Sequence, residues 1–238
     1  MTRLEANIDG TYATHRISLG AVGRLRGQPL DLRLNARGGL QKTSASAALF
    51  GTDTAWRGTL ERFDNRGLPA FALERATQLY AGGNRVEIGA TQISIERATV
   101  DLKELIWRAG LLRTAGQMRG LNIGHVLQLQ QEVTGNVPPV TSTLVLTGAW
   151  DVNITERASG FAEVKRESGD VSVKSDGREI VGGIESLQMR AAFEGSRMRI
   201  DGGLATARFG KVNAAGYVGL VQDNGFLTVS PQSTLALR

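Results

Sequence analysis

The chain has 238 residues, 41% hydrophobic and 21% charged, the balance of a folded protein rather than a disordered one. It has no cysteine, which excludes disulfides and cysteine-ligated metals, and its formal charge of +5 rests on 23 Arg and 5 Lys against 23 acidic residues. No apolar run approaches the ~18–20 residues of a membrane helix, and no basic run interleaved with aromatics offers a surface for nucleic acid.

In chain order, the opening MTRLEANIDG lacks the apolar stretch of a signal peptide. Asp9-Gly10 before Tyr12 predicts a tight hairpin turn. Leu30, Leu32 and Leu34 alternate with Asp31, Arg33 and Asn35, which predicts a strand with one apolar face. Thr43–Phe50 reads as a short helix or a loop. Val86 and Ile88 lead to Ile93 and Ile95, and then to Val100 and Leu102, in further strands. One helix is predicted over Leu121–Glu132, with Asn122 as its cap and Gly124 as a weak point. Val137-Pro138-Pro139 breaks the chain before the longest run, LVLTGAWDVNI. There Leu144, Leu146, Trp150, Val152 and Ile154 share one side, while Asp151 and Asn153 share the other with Val145, Thr147 and Ala149. As a strand this run reaches about 37 Å. Met198, Ile200 and Leu204 alternate with Arg197, Arg199 and Asp201, and Asp176-Gly177 and Asn224-Gly225 mark further turns. The arginines spread along such runs are expected on the solvated face of strands.

No motif of catalysis is present. His15 and His125 lie far apart with no carboxylate cluster at ligand spacing, and neither a nucleophile elbow nor a phosphate-binding loop occurs. Glu167 and Asp170 sit in Arg-Glu-Ser-Gly-Asp, which reads as a turn. Neither an enzyme, a cofactor nor a metal is expected. The fold class expected is all-β and mostly antiparallel, with one or two short helices. A one-sided apolar sheet must be covered. With one helix a helical layer fails, and three Trp and three Tyr are too few for the girdles of a membrane barrel. A sandwich of two sheets remains, or a sheet curled on itself around an apolar groove.

Several of these segments resemble the TamB family, the inner-membrane-anchored subunits of the bacterial translocation and assembly module in the AsmA-like group. The residues that carry the resemblance are Leu144 to Ile154 with its Gly-Ala-Trp-Asp, the Arg166-Glu-Ser-Gly-Asp170 turn, Ala55-Trp-Arg-Gly-Thr-Leu60, and Leu105-Ile-Trp-Arg-Ala-Gly110 followed by Thr114-Ala-Gly-Gln-Met-Arg-Gly-Leu121. The resemblance implies a β-taco, a long sheet folded lengthwise around a dry groove. It implies an internal segment, 1–238, of a longer periplasmic protein. The partners it implies are phospholipid acyl chains and, through the parent protein, a BamA-like outer-membrane barrel of the TamA kind. The expected function is conduction of phospholipid between the membranes, or support of outer-membrane protein assembly. The alternative is a structural or adhesin-like β protein with no lipid ligand. On the first reading the groove is lined by Leu30, Leu32, Leu34, Val86, Ile88, Ile93, Ile95, Leu144, Leu146, Trp150, Val152, Ile154, Met198, Ile200 and Leu204, with Trp150 either paving or plugging it.

Overall fold

The computed structural model describes residues 3–25, 27–42, 54–83, 85–135, 139–175, 178–223, 226–230 and 234–237. The expectations for Thr43–Phe50, Val137-Pro138, Asp176-Gly177 and Asn224-Gly225 fall outside them. The fold is all-β and antiparallel, 76% strand and 6% helix, so strand pairing and not helix packing carries its organisation. By its internal contacts the chain divides into two compact units, Met1–Thr114 and Ala115–Arg238.

The first unit holds β1 (Arg3–Gly10), β2 (His15–Leu25), β3 (Gln28–Lys42), β4 (Thr54–Asn65), β5 (Phe71–Leu73), β6 (Thr77–Gly82), β7 (Arg85–Ile88), β8 (Thr91–Ile95) and β9 (Ala98–Arg108). β1 pairs with β2, β2 with β3 and β3 with β4. β4 then pairs with two short strands, β6 along Ala55–Leu60 and β5 at Asp64–Asn65. β7 lies on β6, β8 lies on β5, and β9 closes the row against both. The described strands of this unit therefore belong to one sheet. Asp9-Gly10 does not make the tight turn predicted: β1 ends at Gly10, opposite His15, and a longer loop closes with Thr11 N–H donating to the Thr14 carbonyl at 2.7 Å.

β10 (Leu111–Asn122) crosses the border between the units. The second unit continues with α1 (Ile123–Thr134), β11 (Val140–Ser142), β12 (Val145–Ile154), β13 (Ala158–Ser168), β14 (Val171–Ser175), β15 (Arg178–Val181), β16 (Ile184–Gly195), β17 (Arg197–Thr206), β18 (Gly210–Asp223), β19 (Phe226–Val229) and β20 (Thr234–Leu237). Its main sheet runs β12, β13, β16, β17, β18, with β19 and β20 both on β18. β11, β14 and β15 form a small separate sheet.

The helix forms where its cap predicts. The Asn122 side chain accepts a hydrogen bond from His125 N–H at 3.1 Å, and Gly135 ends the helix in the left-handed region at φ 73°. Gly124, which costs helix propensity, has a tertiary reason. A Cβ there would stand 2.0 Å from the Ser142 carbonyl, so only glycine lets the first turn lie against β11.

Candidate functional site

In an antiparallel ladder, residues directly opposite one another point to the same face. Following the pairs across the first unit gives one face with Leu4, Ala6 and Ile8 of β1, then Ile17, Leu19 and Ala21 of β2. Leu30, Leu32, Leu34 and Ala36 of β3 continue it, then Trp56, Leu60 and Phe63 of β4. Beyond them come Phe71 and Leu73, Leu79 and Ala81, Val86 and Ile88, Ile93 and Ile95, and on β9 Val100, Leu102, Leu105 and Trp107. Seven of the residues expected to line a groove, Leu30, Leu32, Leu34, Val86, Ile88, Ile93 and Ile95, thus share one apolar face.

That face stays apolar because the strands change phase together. Between Asn35 and Ala36 of β3 the register shifts, so Glu61 is one residue too many in β4. Leu60 and Phe63 then point the same way despite their odd spacing. Next to it, Glu74-Arg75-Ala76 separates β5 from β6, Gly89-Ala90 separates β7 from β8, and Lys103-Glu104 of β9 lies between the pairs Leu102–Thr91 and Leu105–Ile88. Each break inserts the number of residues that returns the apolar side chains to one side. The breaks lie side by side, and hydrogen bonds stitch them: Gly89 N–H to the Gln78 carbonyl at 2.9 Å, Glu74 N–H to the Gln92 carbonyl at 2.8 Å, and the Thr91 hydroxyl to the Arg75 carbonyl at 2.5 Å. Bulges bend a strand, so a line of them creases the sheet.

In the second unit the same tracing puts Leu146, Trp150, Val152 and Ile154 of β12 on one face with Ala158, Ala162 and Val164 of β13. Phe193, Ala191 and Met189 of β16 continue it, then Met198, Ile200 and Leu204 of β17, then Val218, Ala214 and Val212 of β18. Asp151 and Asn153 point the other way, as their alternation predicts. Leu144 precedes β12; its carbonyl accepts from Ile123 N–H at 2.9 Å, and it is only 5% exposed.

Along the first half of β17, Met198 and Ile200 are half-buried while Arg197, Arg199 and Asp201 are exposed. Yet among the described residues no large side chain is fully buried, as the centre of a two-sheet sandwich would require. Leu4 is 63% exposed, Ile8 70% and Met189 53%. Exposed apolar surface on a sheet face is a candidate for a binding site, and each unit has its own face.

Trp56 paves its end of the first face. Cβ atoms added at Gly38 and Gly58 would each come 2.6 Å from its ring, so the indole lies over two side-chain-free positions on neighbouring strands. Its Nε1–H donates to His15 Nε2 at 3.0 Å, and His15 Nδ1 meets the Thr11 carbonyl at 3.1 Å as the donor, which fixes the neutral tautomer. His15 is therefore a buried partner of the ring.

The opposite faces are ionic. Arg33 pairs with Asp31, Arg37 with Glu61, Arg62 with Asp64 and Arg85 with Glu87. Lys165 and Arg190 share Glu163, and Arg199 pairs with Asp201. The Arg62 hydrogen bond holds the Asp64 carboxyl below the usual carboxylate range against the opposing effect of burial. The arginines there also cover aromatic rings, Arg190 over Phe161 at 4.4 Å and Arg197 over Tyr217 at 4.9 Å. The basic residues are thus largely neutralised pairwise on the side away from the apolar surface.

Two polar side chains hold the strand ends. Asn65, 4% exposed, accepts from Asp31 N–H and Gly67 N–H at 3.0 Å each and donates to the Pro69 carbonyl at 2.8 Å. Asp170 accepts from Val171, Gly183 and Ile184 N–H at 2.7, 2.9 and 3.2 Å, which lowers its carboxyl pKa, led by the Val171 bond. The Arg-Glu-Ser-Gly-Asp turn is therefore a structural clasp. Among the described residues no group of three metal-ligating side chains occurs, and no helix is long and apolar enough to cross a membrane.

Sequence reasoning missed Leu4, Ile8, Leu19, Phe63, Phe71 and Leu79. They lie on β1, on β2 or on strands whose phase changes within a few residues, and only the cross-strand pairing assigns them to a face. The chain matches no protein-family model, no curated protein and no solved structure.

Proposed function

We propose that this chain is a lipid-carrying segment of a TamB-like periplasmic protein, and that acyl chains of phospholipid lie along the apolar face of each unit. The observation that carries the reading is the one-sided sheet whose large apolar side chains remain partly open while the other face is sealed by ion pairs. A sixteen-carbon acyl chain in water costs about 12 kcal/mol at about 0.8 kcal/mol per CH₂. An aliphatic surface removes much of that cost. The low aromatic content, 5%, keeps the surface unobstructed, and Trp56 lies flat over glycines rather than standing across it. On this reading the parent protein is anchored in the inner membrane and meets a BamA-like barrel of the TamA kind at the outer membrane, as the motif resemblance implies.

The test is photo-crosslinking in cells followed by mass spectrometry of the attached lipid. Crosslinkers replacing Leu32, Ile93, Leu146 and Ile200 capture phospholipid, and those replacing Arg33, Thr99, Asp151 and Arg199 do not. Equal capture from the two sets, or capture from neither, overturns the proposal.

A further inference from the structure

The apolar face of the second unit carries one ionised side chain on β12, β13, β16 and β17. Along the pairs of those strands the face shows aliphatic, aromatic and small residues until the end of β13, where Arg166 stands opposite Leu146. The carboxylates Asp151, Glu163, Glu194 and Asp201 all lie on the other face. Arg166 is half-buried and held in place: Nε donates to the Gly169 carbonyl at 3.0 Å and Nη1 to the Glu185 carbonyl at 3.3 Å. A guanidinium has five N–H donors, and these bonds use two of them. Neither hydrogen-bond partner is charged, unlike the carboxylates that meet Arg33, Arg37, Arg62, Arg190 and Arg199; the Asp170 carboxylate lies close enough to attract Arg166 but spends its oxygens on three backbone N–H groups. Arg166 also borders the depression of about 860 Å³ on the polar side, with Lys165, Gln188 and Lys211, as a side chain at the sheet margin does.

We propose that Arg166 is the headgroup anchor of this unit: it takes the phosphate of a phospholipid whose acyl chains lie on Leu146, Val164, Met189 and Leu204. The inference rests on the lipid-carrying reading and names the ligand's polar end. Charge complementarity selects the occupant. A guanidinium at the end of an apolar face, with no carboxylate hydrogen-bonded to it, suits an amphiphile with an anionic oxygen next to its apolar part, and one tied by backbone carbonyls spends little entropy on meeting it. An uncharged amphiphile gains the surface and forgoes the anchor.

The experiment compares delipidated protein with two fluorescent-acyl lipids of the same chains, phosphatidylglycerol and diacylglycerol, delivered from detergent at fixed concentration. The wild type binds phosphatidylglycerol about tenfold more tightly, the scale of hydrogen bonds to a charged group. Arg166→Gln abolishes that preference with diacylglycerol binding unchanged, and Lys165→Gln, on the opposite face, keeps it. Inorganic phosphate at millimolar concentration does not compete, because the anchor alone, without acyl contacts, is weak. A preference that survives Arg166→Gln, a wild type without preference, or displacement by free phosphate alone overturns the anchor while the lipid reading stands. Binding of neither lipid removes the lipid reading itself. Should Arg166→Gln unfold, a phospholipid with a photoreactive headgroup reads the same question on the wild type: label at Leu146 and Ser168 supports the anchor, and label at Ile154 and Ala158, the far end of the same strands, overturns it.

Discussion

The two units make the same kind of surface by different means. In the first, a line of irregularities crosses β3 to β9, and the apolar face survives because each break resets the alternation. In the second, β13, β16, β17 and β18 pair without a shift over their central stretches, and the irregularities sit near strand ends, at Val145/Leu146 and Ile184/Ser186. The unbroken ladders expose the face as plain alternation. The creased ladders hide it in the sequence while preserving it in space. A one-sided face therefore depends on phase being conserved across neighbours, not on alternation within one strand.

The largest effect is expected where phase is set. Deleting Glu61 and Arg62 together leaves Phe63 directly after Leu60 and turns Phe63 and Asn65 to the ionic side. The Phe63 side chain and the three Asn65 hydrogen bonds are lost together, so the first unit should lose more than about 4 kcal/mol, beyond the range of ordinary substitutions. Urea denaturation of the deletion variant checks this. A cooperative, wild-type-like melt would break the account of the crease.

Next is the Asn65 hub. Asn65→Ala leaves the part-buried N–H of Asp31 and the buried N–H of Gly67 without their acceptor, at a cost of about 2–3 kcal/mol. Hydrogen exchange should show lost protection at those two amides, and unchanged protection there would mean that the loop is held by other contacts.

Ile154→Arg puts a charge on the uncovered face of the second unit. Water reaches that face, so the fold should survive with about 1–3 kcal/mol lost, while lipid capture at Leu146 and Ile200 falls. A closed core would instead unfold. Circular dichroism melts paired with crosslinking separate the outcomes, and a folded variant with full capture would count against the lipid path.

The smallest effect is a pH dependence of the Asp170 clasp. Its carboxyl titrates below its unfolded value of about 3.9, because three backbone N–H groups hydrogen-bond the ionised form. The unfolded chain binds the proton first as pH falls. The stabilisation is therefore complete above about pH 4–5, declines below about pH 4 and is gone once the folded carboxyl is protonated. Thermal melts of wild type and Asp170→Asn should converge through that window. Parallel curves from about pH 6 to about pH 2.5 would show that the carboxylate charge does not matter.

Much of this protein was legible in its residues. Period-two alternation predicted the all-β class, placed Leu146, Val152 and Ile154 opposite Asp151 and Asn153, and set Met198, Ile200 and Leu204 against the arginines between them. Asn122 marked the helix start through a local hydrogen bond. Such features are readable because they depend on neighbours a few positions away. What only the tertiary structure decided depends on partners far along the chain. Phe63 shares a face with Leu34 because of a bulge that no pattern within β4 announces. Gly124 is tolerated because β11 passes 2.0 Å from where its Cβ would be. Asp170 is a clasp because Gly183 and Ile184 return to it, and the place of Arg166 at the end of an apolar face emerges only once four strands are laid side by side. Side-chain direction along a strand is a local property of the backbone. Which face becomes continuous is a property of register, and register is settled by hydrogen bonds between strands.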